Sequence, residues 1–229
     1  GDVLLWVQGV ATKLGMNVNI FEPDVSPLQI GGPKAPMLIN KLFAGIHDDL
    51  RFYKARETSL EGIPMIIGRT GWSGEISYEL YLRDRSLGNK LWEIVREAGL
   101  EFNIAPIAPN TTRSIEGGLL SYQSDIRRNH SPYAVGLDRL VDIDQDINFI
   151  GKDALKRIKN EGTSIKLVGI HIKGNPIKSP PEHFWPIAIN NECVGDVSRC
   201  IFSPRLNKNI GFASINIEHA KPGTSITIN

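Results

Sequence analysis

The sequence predicts an α+β fold that is followed by a small, all-β region. Strand-like and helix-like segments alternate through about residue 140, which is typical of an α+β domain. After a short helical segment that closes at Gly162, only strand-like segments follow, as in a small antiparallel barrel or sandwich. The change of pattern predicts a domain boundary near residue 160, between a first region of residues 1–160 and a second of residues 161–229.

The first hundred residues alternate between the two kinds of element. Hydrophobic periodicity and turn residues predict a helix, two short strands, a helix, a β-hairpin and a further helix. In chain order these elements cover residues 2–14, 17–23, 25–36, 36–43, 63–69 with 75–82, and 87–98. Gly15 and Gly99 stand where helix C-caps are expected, because Gly adopts the left-handed conformation that often ends a helix.

The rest of the chain adds two helices and several strands. A helix is expected from about 110 to 120, with Asn110 or Thr111 as its N-cap. Four later segments have strand character, and Asn190-Asn191 is a candidate tight hairpin turn between two of them. A polar, proline-rich loop is expected from Pro176 to Pro186.

Composition excludes several classes of function. The formal net charge is +1 and charged residues make up 22% of the chain, so no nucleic-acid partner is expected. No apolar run reaches the roughly 18 residues of a membrane span, and no signal-peptide pattern precedes the first helix. Cys193 and Cys200 are too few for a disulfide framework, which favours the reducing cytoplasm. The chain starts without Met and stops within a strand pattern, so we expect it to be part of a longer protein.

Metal and nucleotide sites are also not expected. The five His residues are dispersed, without the close pairs that a zinc site uses. The Gly31-Gly32-Pro33 turn lacks the pattern of a phosphate-binding loop. No Gly-x-Ser-x-Gly nucleophile motif occurs.

The segment "RTGWSGEISYELYLRD" raises the first functional question. Because strand side chains alternate, Ile76, Tyr78, Leu80 and Leu82 share one apolar face, and Glu75, Ser77, Glu79 and Tyr81 share the other. A solvent-exposed outer face would account for this pattern. A carboxylate with aromatic neighbours, Glu79 with Tyr81 and Trp72, would instead suit the floor of a binding site.

A second candidate lies in "TTRSIEGGLLSYQSDI". Arg113 precedes Glu116 by three positions on the predicted helix, as in an ordinary intrahelical ion pair worth a few tenths of a kcal/mol. Gly117 and Gly118 follow, and each Gly costs a helix about 1 kcal/mol relative to Ala. Such a cost indicates close packing of another backbone or of a ligand.

Four ordered motifs give the chain a family resemblance over nearly all of its length. They are "RTGWSGEISYELYL", "TTRSIEGGLLSYQSDI", "PYAVGLDRLVDIDQDINFIGKDAL" and "GDVSRCIFSPRLNKNIGFA". In this order they resemble the glycine-cleavage T-protein (aminomethyltransferase) family. Within it, Trp72-Ser73, "TRSIEGG" and "SRCIFSPRLNKNI" look most like the members that demethylate dimethylsulfoniopropionate (DMSP).

The resemblance implies a multi-domain, cloverleaf-like fold with tetrahydrofolate in a central channel and a C-terminal antiparallel β-barrel. It implies that residues 1–160 are a folate-binding region. The carboxylate of Glu79 would accept hydrogen bonds from adjacent pterin N–H groups. Trp72 would form an apolar wall near the folate, with Tyr81 on the strand face of Glu79, and Arg113 would bind the charged end of the folate.

The resemblance also implies that roughly the first third of such a protein precedes Gly1. The catalytic Asp of the family would lie in that part, so the sequence names no catalytic residue.

Three functions are compatible with this resemblance. The first is a folate-dependent methyltransferase that converts DMSP to methylthiopropionate with formation of 5-methyltetrahydrofolate. The second is a glycine-cleavage aminomethyltransferase, which would require a lipoyl-bearing carrier protein as partner. The third is a non-enzymatic folate-binding protein of the same fold, but "NFIGKDAL" lacks the Cys of that branch. The first function uses a small-molecule donor, and the second uses a carrier protein. Neither requires a nucleic-acid or a membrane partner.

Overall fold

The computed structural model describes residues 2–228 and divides them between two units. Among these residues, the first unit comprises residues 2–71 and Glu75–Ile107, and the second comprises Trp72–Gly74 and residues 108–228. A three-residue piece of the hairpin loop thus belongs to the second unit. The expected functional division near residue 160 stays a prediction.

In the described part of the chain, the first unit is built from four α-helices and a four-stranded sheet. The helices are α1 (Asp2–Lys13), α2 (Ala35–Leu42), α3 (Ile46–Asp49) and α4 (Gly88–Gly99). The strands are β1 (Ser26–Gly31), β2 (Ala55–Leu60), β3 (Ile63–Gly68) and β4 (Ser77–Leu82). The sheet is antiparallel, in the order β1-β4-β3-β2.

The predicted hairpin is confirmed as β3 and β4, and β4 lies at the centre of the sheet beside β1. Tyr78, Leu80 and Leu82 are at most 1% exposed and face the core, as the alternating pattern predicts. Ile76 was expected on the same face, which is wrong. It precedes the first residue of β4, so its side chain does not follow the strand alternation and is 43% exposed.

Helices α2 and α4 cover one face of this sheet. Leu91 and Val95 of α4 are buried in the core, because apolar residues recur at helical spacing along this amphipathic helix. Leu38 and Ile39 of α2 are buried in the same core. The helices predicted over residues 36–43 and 87–98 are therefore confirmed within one or two residues. The left-handed C-cap expected at Gly99 is wrong, because Gly99 is the last residue of α4 with φ −84°, and the chain continues as a 3₁₀ turn to Asn103, which has φ +59°.

The N-terminal helix is confirmed, together with its cap. Gly15 has φ +63°, and its N–H donates to Thr12 O while Met16 N–H donates to Ala11 O. These two bonds close a Schellman motif. The strand expected over residues 17–23 is wrong, because no ladder partner is recorded for it and the segment is irregular.

The second unit contains two helices and a five-stranded antiparallel sheet. The helices are α5 (Thr111–Glu116) and α6 (Lys152–Glu161). The strands are β5 (Ile165–Ile172), β6 (Trp185–Ile189), β7 (Glu192–Ser203), β8 (Lys208–Asn216) and β9 (Thr227–Ile228). Their order is β5-β8-β7-β6-β9, which confirms the predicted all-β character after Gly162.

Two local features shape the second sheet. Asn190 and Asn191 have φ of +51° and +68° and join β6 to β7, as a two-residue hairpin turn requires. The β7–β8 ladder shifts register between Val197 and Arg199, so Ser198 is an extra residue, a β-bulge. On the inner face, Val197, Cys200 and other apolar residues form the core of this unit.

Burial also sets the chemistry of the two cysteines. Both are free thiols; Cys193 is exposed and Cys200 is buried. Burial raises the pKa of Cys200 to about 11, because the thiolate would lose its solvation. Cys200 is therefore an inert core residue.

The loop before β6 is tied down only at its ends, and we expect limited trypsin digestion to cut there. Ile177 N–H donates to Asn209 Oδ1 (2.9 Å), and the Phe184 ring lies 4.2 Å from the Arg127 guanidinium. Lys178 and its neighbours are exposed between these anchors. Among the trypsin sites of residues 165–228, the bond after Lys178 should be cut first, as mass spectrometry of the early fragments would show. Earlier cleavage within residues 190–215 would contradict this.

Candidate functional site

Glu79 is the best-defined candidate in the first unit. Its Oε2 atom accepts hydrogen bonds from two hydroxyls, those of Thr70 and of Tyr81, the latter at 3.0 Å. Within residues 2–228 no hydrogen bond to the other carboxylate oxygen, Oε1, is recorded, and the residue is half-buried. Two donors thus orient the carboxylate through one oxygen and leave the second oxygen available to a ligand.

The strand next to Glu79 leaves space on the same face of the sheet. Gly68 of β3 pairs with Glu79, and cross-strand partners project on one side. A Cβ atom added at Gly68 would lie 3.4 Å from the Tyr81 ring and 3.6 Å from Thr70 Oγ1. A larger residue at this position would crowd both groups that hold Glu79.

Tyr81 is suited to its role as a donor. Burial raises the pKa of the Tyr81 phenol, and the Glu79 carboxylate raises it further through its hydrogen bond and its charge. The phenol therefore stays protonated at neutral pH and keeps donating to Glu79. The predicted pairing of Glu79 and Tyr81 on one strand face is confirmed. Thr70 was missed by the sequence argument, although it lies in the same quoted motif.

The two glycines that flank Trp72-Ser73 stand where the chain packs closely against itself. A Cβ atom at Gly71 would come within 2.4 Å of the Ser77 Cβ, so the first glycine makes room for the start of β4. Gly74 has φ +69°, and a Cβ atom there would lie 3.1 Å from the Gly117 Cα. Each glycine thus allows a different close approach. Trp72 itself is 38% exposed, in the segment that belongs to the second unit.

Helix α5 ends earlier than predicted. The helix stops at Glu116 rather than near residue 120, because Gly118 has φ +69° and turns the chain away. Asn110 is confirmed as its N-cap, since its side chain accepts from Arg113 N–H at 3.1 Å. The Gly pair was predicted to mark close packing of another backbone or of a ligand, and close backbone packing is confirmed for Gly117 by the approach of Gly74. A Cβ atom at Gly118 would meet nothing within 4 Å.

Arg113 takes part in a chain of polar contacts on the second unit. Its Nη1 atom donates to Glu116 Oε2 at 3.0 Å, which is the intrahelical pair expected from the sequence. The other oxygen, Glu116 Oε1, accepts from Ser203 Oγ at 2.5 Å. Ser203 Oγ in turn accepts from Leu206 N–H at 3.0 Å. The guanidinium is one-third exposed, whereas the Glu116 side chain is only 7% exposed.

A buried ion pair, which the sequence argument missed, joins three segments of the second unit. Asp125 is fully buried and accepts from Arg199 through both oxygens, with Nε to Oδ1 at 3.1 Å. Ser198 Oγ and Ser121 N–H complete its shell at 2.6 and 2.8 Å. Arg199 also donates to Ser114 Oγ at 3.0 Å, on the helix that carries Arg113.

The bulge in β7 accounts for part of this arrangement. In a regular strand, Ser198 and Arg199 would point to opposite faces. The extra residue lets both side chains reach Asp125. No signal in the sequence indicates this, since the two partners lie 74 positions apart.

The predicted site residues thus fall into two groups. Glu79 and Tyr81 are brought together in the first unit, and Trp72 and Arg113 belong to the second. We assign no catalytic residue. In the described part of the chain, no group of three or more His, Cys, Asp or Glu residues is arranged to hold a metal ion. None of the helices within residues 2–228 is both long and apolar enough to cross a membrane.

Two family models match the chain. The one described as the GCVT N-terminal domain matches residues 1–145. The one described as the glycine cleavage T-protein C-terminal barrel domain matches residues 166–229.

Individual relatives agree with these matches. Dimethylsulfoniopropionate demethylase DmdA of Ruegeria pomeroyi is 33% identical over all of this chain and 62% of its own length. An aminomethyltransferase of Halothermothrix orenii is 37% identical over 97% of this chain and 61% of its own length. The crystal structure of the glycine cleavage system aminomethyltransferase T from Bartonella henselae covers the whole chain with a TM-score of 0.85 at 18% identity, which shows the fold. The chain spans about three fifths of the length of these relatives.

Proposed function

Because the chain belongs to the glycine cleavage T-protein family, we propose that the protein transfers a one-carbon unit to tetrahydrofolate, with DMSP as the donor. The likeness to a demethylase over the full length of the chain supports the choice of donor. The observation that carries the proposal is the Glu79 carboxylate, which is oriented through one oxygen and open at the other.

The residues of the first unit fit a pterin. A pterin presents adjacent N–H donors, and a carboxylate is their natural acceptor. Glu79 is half-buried, so its hydrogen bonds to such a ligand would be only partly weakened by water. Thr70 and Tyr81 would hold the carboxylate in place, which lowers the entropic cost of binding.

The family resemblance also assigns two residues of the second unit, Trp72 and Arg113, to folate binding. We propose that the Arg113 guanidinium binds a carboxylate of the folate, because its planar donors match carboxylate geometry. Glu116 would hold Arg113 in position. Trp72, which is partly exposed, would offer an aromatic face to the ligand.

Bound folate would supply the nitrogen, N5, that accepts the methyl group of the sulfonium. A sulfonium is already an activated leaving group, so no strong acid is required at sulfur. The protein would act mainly by holding donor and acceptor in line. Glu79, Arg113 and the aromatic residues are therefore assigned to binding and orientation.

Aminomethyl transfer is the alternative, because the curated aminomethyltransferases resemble the chain as closely as the demethylase does. Such an enzyme would receive its one-carbon unit from a lipoyl group on a carrier protein.

The cytoplasmic setting stays part of the proposal for both alternatives and rests on the two free thiols.

A single assay separates the two alternatives. The full-length protein should be incubated with tetrahydrofolate and either DMSP or an aminomethylated lipoyl carrier. Formation of methylthiopropionate and 5-methyltetrahydrofolate supports the proposal. Turnover with the carrier alone would replace it with aminomethyl transfer, and turnover with neither donor would reject both.

Replacing Trp72 with Leu should raise the KM for DMSP as well as the KM for folate. An aromatic face attracts a sulfonium by about 0.5–2 kcal/mol, so we expect a rise of roughly 2- to 30-fold for DMSP. The measurement is steady-state kinetics with each substrate varied in turn. Trp92→Leu is the matched control, because Trp92 has nearly the same exposure (39%) and lies on α4. A rise in the folate constant alone would limit Trp72 to folate binding.

A further inference from the structure

Helix α5, which carries Arg113, is too short to be stable without contacts to its surroundings. It has six residues, and isolated helices shorter than about 12 residues are marginal in water. Gly117 and Gly118 follow the helix, and glycine leaves the backbone freer than any other residue does. The direction of the Arg113 side chain therefore depends on the contacts that the rest of the second unit makes with this helix and turn.

The Arg199 guanidinium makes such contacts on both sides of the Gly117-Gly118 turn. Its Nη1 atom donates to Ser114 Oγ at 3.0 Å, and its Nη2 atom donates to Leu119 O at 2.8 Å. Ser114 lies within α5, next to Arg113, and Leu119 follows the glycine pair. Ser114 O also accepts from Leu119 N–H at 2.8 Å. One side chain of β7 thus closes the turn that ends α5.

The guanidinium is itself fixed by a buried carboxylate. Both oxygens of Asp125 accept from Arg199, whose side chain is 12% exposed, and Asp125 is fully buried. A planar guanidinium that is held by both oxygens of one carboxylate has a defined orientation, so its remaining N–H groups point in set directions. The two acceptors at the end of α5 therefore meet a rigid donor.

Stability alone does not account for this ion pair. Apolar residues of similar volume can often replace a buried ion pair without a loss of stability. Apolar side chains would, however, offer no donor to Ser114 Oγ or to Leu119 O. What the ion pair adds is thus a fixed position for the end of the helix that carries Arg113.

We propose that Arg199 is a positioning residue, which orients Arg113 toward the carboxylate of the folate by holding Ser114 and Leu119. The proposal rests on the proposed function, in which Arg113 binds that carboxylate. Arg199 does not touch the ligand and acts only through α5. Without these two hydrogen bonds Arg113 would sample more orientations, and binding the same carboxylate would cost more conformational entropy.

The test is a double-mutant cycle on the full-length protein, in which calorimetry measures the dissociation constant of tetrahydrofolate. Arg199→Lys keeps a cation for Asp125, but its ammonium group is a compact point charge without the planar fork that reaches both acceptors of α5. It should weaken binding on the order of fivefold. Arg113→Ala should weaken binding on the order of tenfold or more. In the double variant Arg199→Lys should have no further effect, because the residue that it orients is gone.

Ser114→Ala provides a second cycle that leaves the ion pair between Arg199 and Asp125 intact. It removes the hydroxyl through which Arg199 holds the helix. It should also weaken tetrahydrofolate binding in the wild type and have no effect in Arg113→Ala. If Arg199→Lys does not fold, as thermal melting would show, this second cycle decides the question.

Ser214→Ala is the matched control for the serine variant. Ser214 is also a buried serine of the second unit, with 6% exposure. Among the described residues, the recorded partner of its hydroxyl is His130, whose Nε2 atom lies at 3.4 Å. This variant should bind tetrahydrofolate as the wild type does.

Two results would overturn the proposal. Wild-type affinity in Arg199→Lys would show that these hydrogen bonds do not affect the folate site. An equal loss with and without Arg113 would show that Arg199 supports the fold and does not act through Arg113. Arg113→Ala alone tests the proposed function: unchanged binding by this single variant would remove the role of Arg113 in folate binding, and this inference with it.

Discussion

Replacing Glu79 with Gln should weaken tetrahydrofolate binding by about 2–4 kcal/mol, or roughly 30- to 700-fold. The change removes the charge and places an amide N–H₂ where an acceptor oxygen stood. If that group faces the pterin donors, one charge-assisted hydrogen bond is lost and two donors oppose each other. The dissociation constant should be measured by calorimetry on the full-length protein.

Glu57→Gln is the matched control for this experiment. Glu57 lies on β2 of the same sheet, and its side chain is 78% exposed, paired with Arg83. It should bind folate as the wild type does. Thermal melting of the Glu79 variant should stay close to that of the wild type, which would show that a binding defect is not a folding defect. Equal folate affinity in the Glu79 variant and the wild type would reject the role assigned to this carboxylate.

Replacing Arg199 with Met should lower the free energy of unfolding by about 3–5 kcal/mol. The Asp125 carboxylate would then be left fully buried without its cation, with only Ser198 and Ser121 as donors. Ser114 Oγ and Leu119 O would also lose a donor. Urea denaturation followed by circular dichroism would measure the loss.

The control for this second substitution uses the same chemical change at the surface. Arg83→Met breaks a pair whose side chains are 55% and 78% exposed, and it should cost at most about 1 kcal/mol. The double variant Arg199→Met/Asp125→Leu should be less destabilised than Arg199→Met, because no buried charge is left unpaired. Additive losses in the double variant would show that the ion pair is not the source of the effect.

The local elements of the fold can be predicted from the sequence. Strand alternation predicted the face that buries Tyr78 and Leu80, since one side of β4 is apolar. The Asn190-Asn191 turn can be predicted as well, because Asn is one of the few residues that accept a positive φ. In both cases the information lies within a few neighbouring residues.

The contacts between segments that are distant in the chain cannot be predicted in this way. The position of β1 beside β4 and the pairing of Asp125 with Arg199 both join segments that are distant in the chain. Neither depends on a local pattern. The end of α5 lies between these cases: the Gly pair is part of the local sequence, but the packing of Gly117 against Gly74 joins residues some 40 positions apart.

The contacts of the candidate site also fall into local ones, which the sequence predicts, and long-range ones, which it does not. Glu79 and Tyr81 were found because they share one strand face. Thr70 was not, because its hydroxyl reaches Glu79 only through the pairing of β3 with β4. Glu116 was recognised as the partner of Arg113, whereas its second bond to Ser203 depends on the packing of α5 against β7.

The bulge at Ser198 also determines what a deletion in β7 would do to the sheet. Val197 pairs with Ala213 and Arg199 pairs with Phe212, which are adjacent on β8. Deleting Ser198 would therefore restore a regular ladder, with Val197 still facing the core and Arg199 still facing outward. The deletion would remove one hydroxyl from Asp125 and leave the salt bridge partner in register. The loss of this one residue from β7 would thus leave the inside and the outside of the sheet unchanged.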